Sequence, residues 1–200
     1  MPPRPCGAVT SGEEVIASDT HVIENPISGE RIVIHETESS TGGARLAWEL
    51  LLAPGGRVPS SHAHPAQEER FTVMEGRMRF RVGGQPVLAE AGATVVVPRG
   101  TVHSFANAGP DTARVLVTTT PALEMRELLE TAAAMARDQR AAGRSLPRLF
   151  DLALFMSDFE REVRAPYLPA RLVRLVMRSL ARLATARGLD SRYRRLRAGA

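Results

Sequence analysis

Between His21 and Thr120 no stretch keeps a helical period long enough to form a helix, and this constrains the fold more than any other property of the chain. Short β-branched segments alternate instead with glycine and proline. Val22-Ile23 and Arg31-Ile32-Val33-Ile34 flank the turn sequence Asn25-Pro26-Ile27-Ser28-Gly29, which predicts strand, turn, strand. Leu46, Trp48, Leu50 and Leu52 alternate with Arg45, Ala47, Glu49 and Leu51, the period of a strand with one buried face, and Pro54-Gly55-Gly56 ends it. Further strands are expected at Phe71–Met74, Met78–Val82, Thr94–Val97 and Arg114–Thr119, separated by Glu75-Gly76, Gly83-Gly84, Pro98-Arg99-Gly100 and Asn107 to Asp111. The expectation is a mainly β protein, a small antiparallel barrel or a double-sheet jelly roll.

After Pro121 the period switches to that of helices. Leu123, Leu128, Leu129, Ala132, Met135 and Ala136 predict a first helix stopped at Gly143. Pro147 suits the first turn of a second carrying Phe150, Leu154, Phe155 and Phe159, and Pro169 opens a third that ends at Gly188. The chain is thus divided into an N-terminal flexible segment (1–20), a β-barrel (21–120) and an α-helical C-terminal extension (121–200). Charge follows the same division. Residues 1–160 carry 15 arginines against 20 acids, net −5, whereas residues 161–200 carry 11 against 2, net +9. An acidic barrel argues against nucleic acid as a partner. All 26 basic residues are arginine, so lysine Schiff bases and lysine-dependent phosphate loops are excluded. Cys6 is the single cysteine and Met1 to Thr20 contain no apolar run, from which a cytoplasmic location is expected.

The chemistry concentrates between Gly56 and Asn107. Gly56 is followed after five residues by His62-Ala63-His64, after four more by Glu69 and after six more by Gly76. Gly92 is followed after five by Pro98-Arg99-Gly100, after two more by His103 and after three more by Asn107. Residues two apart on an extended strand face the same way, so His62 and His64 can present two imidazoles to one point. Glu69 returns to that point if the chain bends at Pro65-Ala66, and His103 reaches it from a distant strand. Three neutral nitrogens and one carboxylate suit a divalent first-row transition metal with open positions. Each of these residues alone has a bland reading as a turn, surface or core residue. Ten specified identities at fixed offsets would coincide by chance with odds on the order of 1 in 10¹².

The two segments resemble the two motifs of the cupin superfamily, and every position of both patterns is matched here, with 15 residues between Gly76 and Gly92. The resemblance implies a six- to eight-stranded jelly-roll barrel over about residues 22–120, with His62, His64, Glu69 and His103 as metal ligands. The segments Glu24-Asn25-Pro26, Gly29-Glu30-Arg31 and Phe159 to Pro166, with the helical extension, are also similar to bacterial single-cupin proteins of quercetinase-like type. What this implies is a metal-dependent oxygenase acting on a flavonoid, enol or polyketide-like molecule, with one divalent metal, Fe(II) first and Mn, Ni, Zn or Cu behind it. Glu69 would double as proton acceptor. A non-redox cyclase or isomerase, and a small-molecule-binding regulatory module, are the alternatives.

Parity along the ligand-bearing strands places Phe71 and Phe105 at the barrel mouth, with Trp48 joining from its own strand as candidate substrate-pocket walls. Arg77, Arg79 and Arg81 alternate with Met78, Phe80 and Val82 and read as a solvated face. In the third helix, Arg171, Arg174, Arg178 and Arg182 run beside a leucine-valine face. That pattern predicts either packing, including a homodimer, or peripheral contact with an anionic membrane.

Overall fold

The computed structural model describes residues 21–58, 60–166 and 169–199. The N-terminal segment expected at residues 1–20 lies outside them. Nine strands among the described residues run β1 (Val22–Asn25), β2 (Glu30–Glu36), β3 (Leu46–Leu52), β4 (Glu68–Glu75), β5 (Arg77–Val82), β6 (Gln85–Glu90), β7 (Thr94–Val97), β8 (His103–Asn107) and β9 (Ala113–Thr120). They form two antiparallel sheets, ordered β1-β2-β3-β9-β4-β7 and β6-β5-β8. The protein is mainly β with helices at its C-terminal end.

Local chemistry sets the connections. The Asn25 side-chain oxygen accepts from the backbone N–H groups of Ile27 and Ser28 at 3.1 and 3.3 Å, which fixes the β1–β2 turn. Gly76, between β4 and β5, has φ +80°, and a Cβ there would stand 3.0 Å from the Cα of Ala113. Left-handed backbone and backbone crowding add together, so Gly76→Ala is expected to cost about 2–4 kcal/mol. Urea denaturation checks this, and an unchanged midpoint would refute it.

The sequence-based division misses two elements. Strand β6 brings the described strands to nine, beyond the six to eight implied by resemblance. It folds back through Gly83 and Gly84, both at positive φ, and pairs with β5 from the sheet edge, where Pro86 is tolerated. Four helices among the described residues follow the barrel instead of three: α1 (Met125–Ala141), α2 (Leu149–Asp158), α3 (Ala170–Ala186) and α4 (Ser191–Ala198). Helix α4 is arginine-rich without an apolar period, yet it buries Tyr193 against Met135, Leu154, Ala181 and Ala184. Leu123, expected in the first helix, precedes it instead with φ +46°, after the cis Thr120-Pro121 peptide.

The barrel core combines Leu50, Phe71, Val73, Phe80, Val115 and Val117, and Met125 and Leu128 of α1 with Phe159 extend it across the barrel surface. The extension therefore covers the barrel. Arg77, Arg79 and Arg81 lie exposed while Met78 and Phe80 are buried between them.

Candidate metal centre

His62 and His64 flank Ala63 in an extended segment held by isolated bridges, not inside a continuous strand. His62 exchanges backbone hydrogen bonds with His103 at 3.0 and 2.8 Å, so the first residue of β8 is drawn against the His-x-His pair. The chain bends at Pro65-Ala66 and enters β4, whose second residue is Glu69. One ligand atom from each of His62, His64, Glu69 and His103 falls within 4.8 Å of the other three. The glycine and asparagine positions of the two motifs serve the frame. A Cβ on Gly56 would meet the Leu52 side chain at 2.7 Å, and Asn107 donates to the carbonyls of Leu52 and Asp111 at 2.8 and 2.7 Å.

Hydrogen bonding determines which nitrogens converge. Each Nδ1 faces a backbone carbonyl: Ser60 for His62 at 3.1 Å, Glu162 for His64 at 2.5 Å and Thr101 for His103 at 3.3 Å. A carbonyl only accepts, so Nδ1 carries the proton and Nε2 presents a lone pair. The His64 and His103 Nε2 atoms lie 3.2 and 3.0 Å from Oε2 of Glu69. None of these three buried atoms makes a hydrogen bond of acceptable angle among the described residues. Lone pairs and a carboxylate converging without a donor form a set of acceptors that a cation satisfies, and the cluster could hold a metal ion.

Electrostatics agree. Burial, reinforced by His103 and His64, pushes the His62 imidazolium down to about 3, which keeps this ring neutral. Burial opposes ionisation of Glu69, but His64 and His103 outweigh it and hold the carboxyl well below the usual range. For His64, burial disfavours the charged ring and the Glu69 carboxylate more than offsets it, raising the pKa. A cation would take the place of that proton. Thr119 donates to the other Glu69 oxygen at 3.4 Å.

A cavity of about 560 Å³ opens over the cluster, and Trp48, Phe71 and Phe105 line it together with His62, His64 and Glu69. His103 stands behind, 1% exposed. The Phe71 ring centroid lies 5.5 Å from Phe105 and 6.2 Å from His103. Two parts of the wall escape sequence reasoning. Leu128, Leu129 and Ala132 of α1 and Phe155 of α2 close one side. Glu30, the first residue of β2, faces the cavity, and the Ser28 hydroxyl donates to its Oε2 at 2.5 Å. Burial pushes the Glu30 carboxyl up, the Ser28 hydroxyl works against this and the Glu69 charge adds to it. Period-two parity with the buried Ile32 and Ile34 is the signal that marks Glu30 as inward.

A family model described as a cupin domain matches residues 48–119. The chain is 33% identical over 93 residues to the Tetracenomycin polyketide synthase protein TcmJ of Streptomyces glaucescens, covering 46% of this chain and 62% of that protein. It is 32% identical over 71 residues to the Polyketide synthase CurC of Streptomyces cyaneus, covering 36% of this chain and 46% of that one. Each match thus spans less than two thirds of the relative's own length. Similar solved structures include KdgF from Halomonas sp. (TM-score 0.47, 18% identity, 53% of this chain and 91% of that one). Another is an RmlC-like cupin from Shewanella frigidimarina (TM-score 0.45, 20% identity, 54% of this chain and 89% of that one).

Proposed function

The barrel is a cupin domain, and from that premise we propose that the protein is a metal-dependent oxygenase acting on a flat, oxygen-bearing small molecule of flavonoid, enol or polyketide type. The carrying observation is the convergence of acceptor atoms from His62, His64, Glu69 and His103 beside an apolar cavity. A divalent transition metal held by these four residues, with Fe(II) the first choice and Mn, Ni, Zn or Cu the others, would supply Lewis acidity and, as iron, a redox couple for dioxygen.

The chain's own residues supply binding and proton handling. Trp48 and Phe105 give flat apolar walls, and the side chains of α1 and α2 opposite them exclude water. Glu69 is ionised and can accept the proton of an enolic hydroxyl brought beside it. Glu30 faces the cavity, and burial raises its pKa, which favours the protonated form able to donate to a substrate carbonyl or hydroxyl. Removing such a bond by Glu30→Ala is expected to lower kcat/KM by about 10- to 100-fold, the equivalent of about 1.5–3 kcal/mol. Glu30→Gln keeps a donor and most of the activity, and both variants keep wild-type metal content. Steady-state kinetics with metal analysis decides, and an Ala variant of full efficiency would remove Glu30 from the scheme.

The relatives named as polyketide synthase proteins favour a second reading, cyclisation or isomerisation of an enolisable substrate without dioxygen. An oxygen electrode separates the two. Oxygen uptake matching loss of a flavonol or catechol by the Fe(II)-loaded protein supports the oxygenase. Equal substrate loss without oxygen supports the cyclase or isomerase, and tight retention without turnover supports a binding module.

A further inference from the structure

Helix α3 carries two exposed rows of different chemistry along its length. The first is apolar: Leu172 (52% exposed), Leu175 (65%), Val176 (43%) and Leu183 (38%). Their spacing of three, four and eleven residues from Leu172 places them on one stripe, about 16 Å long at the helical rise. The second is basic: Arg171, Arg174, Arg178 and Arg182 border a shallow groove with Leu175 and Ser179 between them. The opposite side of the helix is already occupied, because Ala181 and Ala184 pack with Met135, Leu154 and Tyr193. The two rows are therefore presented outward by a helix whose orientation the body fixes.

We propose that this face of α3 docks the protein on an anionic lipid surface, with the leucine-valine stripe in the acyl boundary and the arginines on phosphate headgroups. Both rows are needed for that occupant and fit no other as well. A large apolar stripe is stabilised only by leaving water, whereas the guanidinium forks match phosphate oxygens two at a time. Arg174 and Arg178 share Glu160, at 3.9 and 2.5 Å, while Arg171 and Arg182 have no acidic partner among the described residues. In a two-fold pairing of α3 with a second copy, the arginine rows would flank one seam with only Glu160 to offset them, so self-association is disfavoured by charge. A nucleic acid would leave the apolar stripe exposed to water. No helix among the described residues is long and apolar enough to cross a membrane, so the contact is peripheral.

Co-sedimentation of the full chain with vesicles of phosphatidylcholine alone, or mixed with phosphatidylglycerol, tests this. Binding is expected only to the mixed vesicles and is expected to fall at high salt. Arg171→Gln with Arg182→Gln should weaken it about 25-fold, roughly fivefold per arginine. Leu172→Glu with Leu175→Glu should weaken it more than about 100-fold. These four side chains are exposed, so an unchanged thermal midpoint and metal content serve as controls for folding. Equal binding to both vesicle types, or full binding by the leucine variant, would overturn the proposal. So would a wild-type dimer with no vesicle affinity that the leucine variant converts to a monomer, which would assign the face to self-association.

Discussion

His103→Ala is expected to weaken divalent-metal retention by more than about 100-fold and to take turnover to background, with the barrel still folded. His103 is fully buried, its Nε2 stands 3.0 Å from Glu69 and its ring centroid is 4.4 Å from that of His62. Loss of a hydrogen-bond partner behind a metal ligand already costs about 10- to 100-fold in affinity, and loss of a ligand removes more. The loss is also electrostatic. The Glu69 carboxyl would lose one of the neighbours that offset its burial and favour its ionised form, so the three remaining ligands would form a poorer cation site. Metal titration by calorimetry and elemental analysis of the purified variant check this. A variant that retains one tightly held metal per chain would show that His103 is not a ligand. Chelation of the wild-type protein should lower its thermal midpoint, because a ligand that binds only the folded state stabilises it, and His103→Ala should be insensitive to the chelator.

Phe71→Ala is expected to cost about 3–5 kcal/mol, which lowers the thermal midpoint by roughly 10 °C in a chain of this size. Phe71 is 1% exposed and packs at ring-centroid distances of 5.2 Å from Phe80 and 5.5 Å from Phe105. Phe71 belongs to the packed core as well as lining the cavity, so stability should fall before substrate affinity does. Phe105 is half-buried and should show the reverse order: Phe105→Ala should raise KM with a smaller loss of stability. Differential scanning calorimetry beside steady-state kinetics separates the two, and a Phe71→Ala protein with the wild-type midpoint would show that the ring is not part of the packed core.

The barrel and the grouping of His62, His64, Glu69 and His103 were legible in the sequence because both depend on local rules. Strand parity, glycine positions and the bend at Pro65-Ala66 each act within a few residues, and their sum brings distant segments to one point. Strand β6 was missed although Gly83-Gly84 announces its turn, since Pro86 disguises an edge strand as a loop. Helix α4 has no apolar period, and it exists because Tyr193 finds a site on the other helices. Glu30 illustrates another limit. A carboxylate directly after a hairpin glycine resembles a solvated turn residue, and the parity with Ile32 and Ile34 that marks it as inward gains its meaning from the cavity above the barrel. That cavity's second wall depends on how α1 and α2 dock, a tertiary outcome with no local signature.

The carbonyl of Glu162 that receives the His64 Nδ1 proton belongs to the helical extension, ninety-eight residues further along the chain. Ala63 and Arg164 exchange backbone hydrogen bonds beside it, at 3.2 and 2.9 Å, and the Arg164 guanidinium donates to the Gly100 carbonyl at 3.0 Å. The tautomer of one candidate ligand is therefore set by a part of the chain that the family model leaves unmatched. A shortened protein ending at Thr120 could keep every strand and still lose the nitrogen that points at Glu69. Swapping this extension for that of another protein is therefore expected to alter the chemistry of the centre and not merely its covering.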